Sequence, residues 1–148
     1  MPKDEQTDNK VPRLKTDRLL LRRLKNTDAK NLFHYAKNPN VTRYTMWEAH
    51  KAIQDSTQFI ESIALKAYED GVPEPLEIEF LEDPGKIIGT VGCFWVSQSN
   101  DSMELAYAIG EKHWGKGIIK EASAKLLSYV FANFSVERIQ CRCKAENE

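Results

Sequence analysis

Apolar residues in this chain recur with two periods, and the switch between them outlines the fold. Leu76, Ile78 and Phe80 alternate with Glu77 and Glu79, a period of two that predicts a strand with both glutamates on the face away from the core. Glu82-Asp83-Pro84-Gly85 is a turn signal, and Lys86 to Val96 is a second apolar run, so the two predict a hairpin. Ser97 to Asp101 turns again into a strand over Ser102 to Ile109. Arg18 to Arg23 is a short apolar run flanked by charge, which predicts an earlier strand.

Helical spacing fills the gaps. Asn26-Thr27-Asp28 offers capping side chains ahead of Leu32, Phe33, Tyr35 and Ala36, and Asn38-Pro39-Asn40 stops that helix. Phe59, Ile60, Ile63, Ala64, Ala67 and Tyr68 trace one face of a helix over residues 53–68, which Asp70-Gly71-Val72-Pro73 ends. Ala122, Leu126, Leu127, Val130 and Phe131 mark a helix over 116–132, and Val136 to Cys143 a last strand. Strand, helices, three antiparallel strands, helix, strand is a mixed α/β order of the α+β type, not a doubly wound parallel sheet.

The 148 residues fit one domain over 14–148, preceded by a flexible tail over 1–13. A net charge of −1 argues against a dedicated nucleic-acid binder. No apolar run approaches the ~20 residues of a membrane span, and the polar start is no signal peptide. Three cysteines without zinc spacing make a disulfide scaffold unexpected and a cytoplasmic location the default. His34, His50 and His113 are scattered, so no metal is expected. Cys93, in an apolar strand, reads as a buried thiol. Arg18, Arg22 and Arg23 read as strand-edge charges.

Between the strand at 102–109 and the helix that follows lies a glycine-punctuated turn. Such a turn, ahead of a helix N-terminus, gathers backbone N–H groups around an anion, most often a phosphate. Gly110-x-x-x-x-Gly115-Lys116-Gly117 nearly matches the nucleotide-binding pattern G-x-x-x-x-G-K-[ST], but Gly117 stands where a hydroxyl must bind Mg²⁺. The preceding strand also belongs to an antiparallel meander. A nucleotide binder is therefore the weaker reading.

The stretch Glu104-Leu-Ala-Tyr-Ala-Ile-Gly, followed by Trp114-Gly-Lys-Gly117-Ile-Ile and Glu121-Ala122, resembles the acetyl-CoA motif of the GNAT N-acetyltransferase superfamily. More narrowly it resembles the branch related to RimJ and RimL, which acetylate ribosomal-protein N-termini. Thr16-Asp17-Arg18-Leu-Leu-Leu-Arg22, Asn38-Pro39-Asn40-Val41-Thr42-Arg43-Tyr44 and Lys86-Ile-Ile-Gly89-Thr-Val-Gly92 agree with it in the same order.

The resemblance implies a mostly antiparallel, splayed sheet with helices on both faces. It implies acetyl-CoA as co-substrate and an amine acceptor, with a protein N-terminal α-amine as the first choice and small amines as the alternative. A homodimer is compatible with it. The backbone of Trp114, Gly115, Lys116, Gly117, Ile118 and Ile119 would hold the pyrophosphate, and Tyr107 and Ile109 would run along the pantetheine arm. Ile119 takes a place where the family usually has Ala or Gly, so its side chain either meets the pyrophosphate or packs under the helix. The family also continues for roughly 30–40 residues past the position of Asn147, a length typical of a further helix and strand. That points to a C-terminally truncated domain, to one completed by a partner, or to a non-catalytic domain that binds CoA or a partner.

Acetyl transfer needs a neutral amine. At pH 7 roughly a tenth of an α-amine (pKa ~7.8) is neutral, against about one in 2,500 for a lysine. Glu104, opening the cofactor strand, is the candidate base; the alternative is a solvated residue opposite a basic neighbour. Tyr44 and Trp47 are candidates for the acceptor groove or, equally, for core packing. Trp114 is expected beneath the loop, and His113 and Lys116 on its surface.

Overall fold

The computed structural model describes residues 13–39 and 49–141. Six strands form one sheet in chain order: β1 (Leu14–Lys15), β2 (Leu19–Arg23), β3 (Leu76–Phe80), β4 (Gly89–Ser97), β5 (Ser102–Ile109) and β6 (Arg138–Cys141). The first four pairings are antiparallel, and β5 pairs with β6 in parallel. The expected hairpin over β3 and β4 is present, although strand pairing of its second arm begins at Gly89, not Lys86. Of the expected tail, only Arg13 lies within the described residues.

Between β2 and β3 run a 3₁₀ turn (Asn26–Asp28), α1 (Ala29–Ala36) and α2 (Ile53–Phe59). α2 continues through a π-helical turn (Ile60–Ala64) into α3 (Leu65–Glu69). Ile60, Ala64 and Tyr68 of this run are buried as the periodicity requires. Ile63 is 51% exposed, because the π turn adds a residue to the cycle and rotates Ile63 off the buried stripe. Of the three expected capping residues only Asp28 bonds the backbone, its Oδ2 accepting from Lys25 N at 2.8 Å.

α4 (Ile118–Asn133) follows β5 and begins two residues later than the periodicity suggested. Its Ile118, Ala122, Leu126 and Val130 are fully or almost fully buried. Trp95 of β4 meets Phe134, just past α4, at 6.1 Å between ring centroids. Thr90 of the same strand interacts with Tyr35 of α1. Positions 90 and 95 have opposite parity in an unbroken register, so α1 and α4 lie on opposite faces of the sheet.

Coverage of both faces overturns the outward placement of the two glutamates. Glu77 and Glu79 are 0% and 3% exposed. They share the α1-side face with Arg22, which pairs with Glu77 across β2 and β3. Arg22, read from sequence as an edge charge, is the hub of a buried network. Its Nη1 and Nη2 donate to Asp28 Oδ2 and Oδ1 at 2.9 and 3.0 Å, and its Nε donates to Glu79 Oε2 at 3.1 Å. Glu77 Oε2 lies 2.8 Å from the same Nε.

One guanidinium cannot neutralise three carboxylates. Burial, then Glu79, pushes the Glu77 carboxyl up to about 10, so it is a neutral acid at pH 7. Burial works against Glu79 too, but Glu77, the Gly85 N–H and Arg22 outweigh it and hold its carboxyl below the ordinary value. Burial alone would favour loss of the Arg22 proton; Asp28, Glu77 and Glu79 raise its pKa instead.

Candidate active site

The glycine turn follows β5 directly. Gly110 N donates to Ile88 O at 2.8 Å, which fixes the end of β5 against the β3–β4 connection. A 3₁₀ turn (Glu111–His113) leads to Gly115 and Gly117, with φ of +78° and +73°. Side chains rarely adopt that left-handed region, so these two positions need glycine. A Cβ on Gly115 would meet nothing within 4 Å, and one on Gly117 would meet only Arg18 Nη2 at 3.9 Å. Among the described residues, the space over the turn is thus open.

Glu121 N donates to Gly117 O at 3.1 Å, the first bond of α4. The N–H groups of Ile118, Ile119 and Lys120 therefore have no acceptor within the helix, at its positive end. Ile118 is buried and Ile119 half-buried against the core. The branched Ile119 side chain therefore packs under the helix. Trp114 is 50% exposed, not tucked beneath the turn, and its Nε1 donates to Ile109 O at 3.1 Å.

Arg18 is more than an edge charge. Its Nη2 donates to Lys116 O at 3.1 Å, while Nε and Nη2 lie 2.8 and 2.7 Å from Glu121 Oε1. Thr16 Oγ1 and Arg18 N both donate to Glu121 Oε2. The Thr16 hydroxyl, then the Arg18 contacts, hold the Glu121 carboxyl below its ordinary range. The start of β2 is thus fastened to both the turn and the first turn of α4, and the negative charge of Glu121 is compensated. Sequence reasoning quoted Thr16, Arg18 and Glu121 as motif letters without linking them.

Tyr107 and Ile109 are half-buried on the α4 side of β5. Glu104 is on the α1 side, 3% exposed, opposite Phe94, and its Oε1 accepts from Gln140 Nε2 at 3.1 Å. It is therefore neither solvated nor opposite a basic residue. Among the described residues, β5–β6 pairing runs from Ser102↔Arg138 to Leu105↔Cys141.

A further carboxylate on that face, besides Glu77 and Glu79, has no counterpart in the sequence reading. Glu74, just ahead of β3, lies across Gly92 of β4; a Cβ on Gly92 would fall 2.4 Å from Glu74 Cγ. Gly92 pairs with Ala106, two residues along from Glu104. Burial pushes the Glu74 carboxyl up to about 7.

Tyr44 and Trp47 lie outside the described residues. His113 stacks edge-on against Phe80 at 5.5 Å and lines a cavity of about 280 Å³ with His34, Tyr35, Lys86 and Lys112. Burial, then Lys116, Lys112 and Lys86, holds its imidazole below the ordinary value. Among the described residues no three metal-ligating side chains cluster, and no helix is long and apolar enough to cross a membrane. Cys93 is buried, as expected, and burial pushes its thiol up to about 12.

Residues 18–148 match the profile of the acetyltransferase (GNAT) domain. The chain belongs to the GNAT acetyltransferase family. It is 33% identical over 137 residues to the uncharacterized N-acetyltransferase p20 of Bacillus licheniformis, covering 90% of this chain and 74% of that one. It is 32% identical over 138 residues to the uncharacterized N-acetyltransferase YoaA of Bacillus subtilis, covering 93% and 76%. Among solved structures, the microcin C7 self-immunity acetyltransferase MccE, in complex with acetyl-CoA and AMP, superposes with a TM-score of 0.76. It is 24% identical over 89% of this chain and 73% of that one. RimL, the ribosomal L7/L12 α-N-protein acetyltransferase, gives 0.78 at 15% identity over 93% and 74%. These likenesses establish a GNAT N-acetyltransferase with the mixed α/β fold that its sequence implied.

Proposed function

We propose that this GNAT domain transfers the acetyl group of acetyl-CoA to a primary amine, with a protein N-terminal α-amine as acceptor. The observation that carries the cofactor assignment is the open turn with left-handed Gly115 and Gly117 at the head of α4. The backbone from Trp114 to Ile119 would hold the pyrophosphate, with the first-turn N–H groups aimed at its oxygens. Lys116 contributes through its backbone, since its carbonyl is held by Arg18. Pantetheine would run beside Tyr107 and Ile109, past the last described β5–β6 pair. A β5 backbone N–H near Ile109 would polarise the thioester carbonyl.

Glu104, buried on the acceptor side of β5, would draw the acceptor's ammonium group and hold it near the thioester carbon. An α-amine suits this site, because it loses its proton near neutral pH and needs no strong base. RimL, named for an α-N-protein acetyltransferase activity, has the same fold, which supports this choice over small amines.

The test is incubation with acetyl-CoA, a panel of peptides with free N-termini, and polyamines, followed by mass spectrometry. The proposal expects an added acetyl group on the α-amine of peptides. Acetylated polyamines alone would move the acceptor class. Acetyl-CoA binding without any acetylated product would favour the non-catalytic CoA-binding alternative.

A further inference from the structure

We propose that Glu74 is the proton acceptor of this reaction, taking a proton from the acceptor's ammonium group through a bridging water. The inference rests on the acetyl-transfer reading above and assigns a step that Glu104 does not perform.

Gly92 leaves a gap on the α1-side face of β4, and the Glu74 side chain occupies it: its Cγ, Cβ and Cα would stand 2.4, 2.6 and 2.7 Å from a Cβ at position 92. Any side chain at 92 would evict it. Gly92 pairs with Ala106 of β5, and Glu104 lies on the same face two residues away. Glu74 is thus one strand in from β5, on the same face as Glu104.

The Glu74 carboxyl has no hydrogen-bond or ion-pair partner among the described residues, whereas Glu104 accepts from Gln140 and Glu79 from Arg22. Glu77 is held neutral by burial and by Glu79. The groups that sense Glu74 electrostatically are Tyr68 of α3, buried and bonded to Leu24 N and Pro75 O, and Cys93 of β4. Both are uncharged at neutral pH, since burial raises each. Among the described residues no cation stabilises the ionised form of Glu74, so burial sets its basicity near that of an α-amine, the condition under which a general base works best.

The step balances without a further reagent. Water passes one ammonium proton to the Glu74 carboxylate. The freed nitrogen lone pair forms the C–N bond, and the C–S bond breaks as the tetrahedral adduct collapses. The second proton lost by nitrogen goes to the CoA sulfur, and Glu74 releases its proton to solvent. Glu104 keeps its hydrogen bond to Gln140 and orients the amine.

The experiment compares pH profiles of kcat/KM for the wild type, Glu74→Gln and Glu104→Gln, with acetyl-CoA affinity and unfolding midpoint measured on each. Two peptide acceptors of different α-amine pKa separate a limb due to the enzyme from one due to the substrate. The proposal expects an acid limb near pH 7 in the wild type that stays put when the acceptor changes. It expects Glu74→Gln to lose that limb and at least ~100-fold in kcat/KM at pH 8, with acetyl-CoA affinity within twofold. Glu104→Gln should keep the limb and raise KM for the acceptor. Because glutamine mimics the neutral acid, Glu74→Gln should unfold no earlier than the wild type at pH 8. An intact limb and rate in Glu74→Gln, or loss of the limb in Glu104→Gln alone, overturns the assignment while leaving acetyl transfer in place. A wild type that binds acetyl-CoA but acetylates no amine overturns both.

Discussion

At the scale of single residues, Glu77 and Glu79 differ by one repeat of the pleat, yet their pKa values shift in opposite directions. Glu77 is raised from 4.5 to about 10. Its folded form therefore holds a proton that the unfolded chain releases, and its contribution is full below the unfolded value and fades as pH rises from about 5 to 10. Glu77→Gln is expected to flatten the fall of stability with pH in that window, measured by urea unfolding at several pH values. Glu79 is depressed, so its contribution is present above the unfolded value and lost on acidification.

Arg22→Ala removes the shared cation and leaves Asp28 and Glu79 buried without it. A loss of about 3–5 kcal/mol is expected from the same unfolding measurement. The alternation of Leu76, Ile78 and Phe80 made the strand legible, but it did not say that the other face was also covered. That depends on α1, whose Tyr35 reaches Thr90, and one strand's pattern carries no information about the helix above it. Glu74 was illegible for a related reason. Its place is set by the absence of a side chain at Gly92, a neighbour in space and not in sequence.

At the scale of elements, the turn between β5 and α4 was readable because glycine spacing is local. The clamp that holds it was not, since Arg18 and Glu121 are 103 positions apart. Arg18→Leu should leave Lys116 O and Glu121 Oε1 without their side-chain donor, while Oε2 keeps Thr16 and the backbone N–H of residue 18, and the turn should sample other conformations. Acetyl-CoA affinity is expected to fall roughly 5–10-fold, about 1 kcal/mol, by calorimetric titration, with far-ultraviolet circular dichroism unchanged. Acid should act in the same direction. The Glu121 carboxyl is depressed, so the clamp holds above its ordinary value and loosens as pH falls through the folded one. The π turn at Ile60–Ala64 was likewise invisible to a strict helical period, and it is the reason Ile63 faces outward.

At the scale of the whole molecule, the sheet divides two tasks. The α4 face and the turn at its head would carry the proposed cofactor-binding surface, and the α1 face carries Glu104 and Glu74. A thioester lying at the strand between them would be open to an amine from the acceptor side. The resemblance made the family and the fold legible, because four motifs in order constrain a chain far more than one glycine pair. The acceptor was not legible, because the pattern at Tyr44 and Trp47 suits a groove and a packed core equally, and both lie outside the described residues.

The account's central claim is that the turn at Gly115–Gly117 binds acetyl-CoA, and calorimetric titration of the wild type beside Gly117→Val tests it most directly. A β-branched residue forced to φ of +73° cannot keep the turn's shape. The account predicts saturable one-to-one binding by the wild type and at least a ~100-fold loss in the variant, with α4 still folded. No binding by the wild type, or equal affinity in the two proteins, would contradict it.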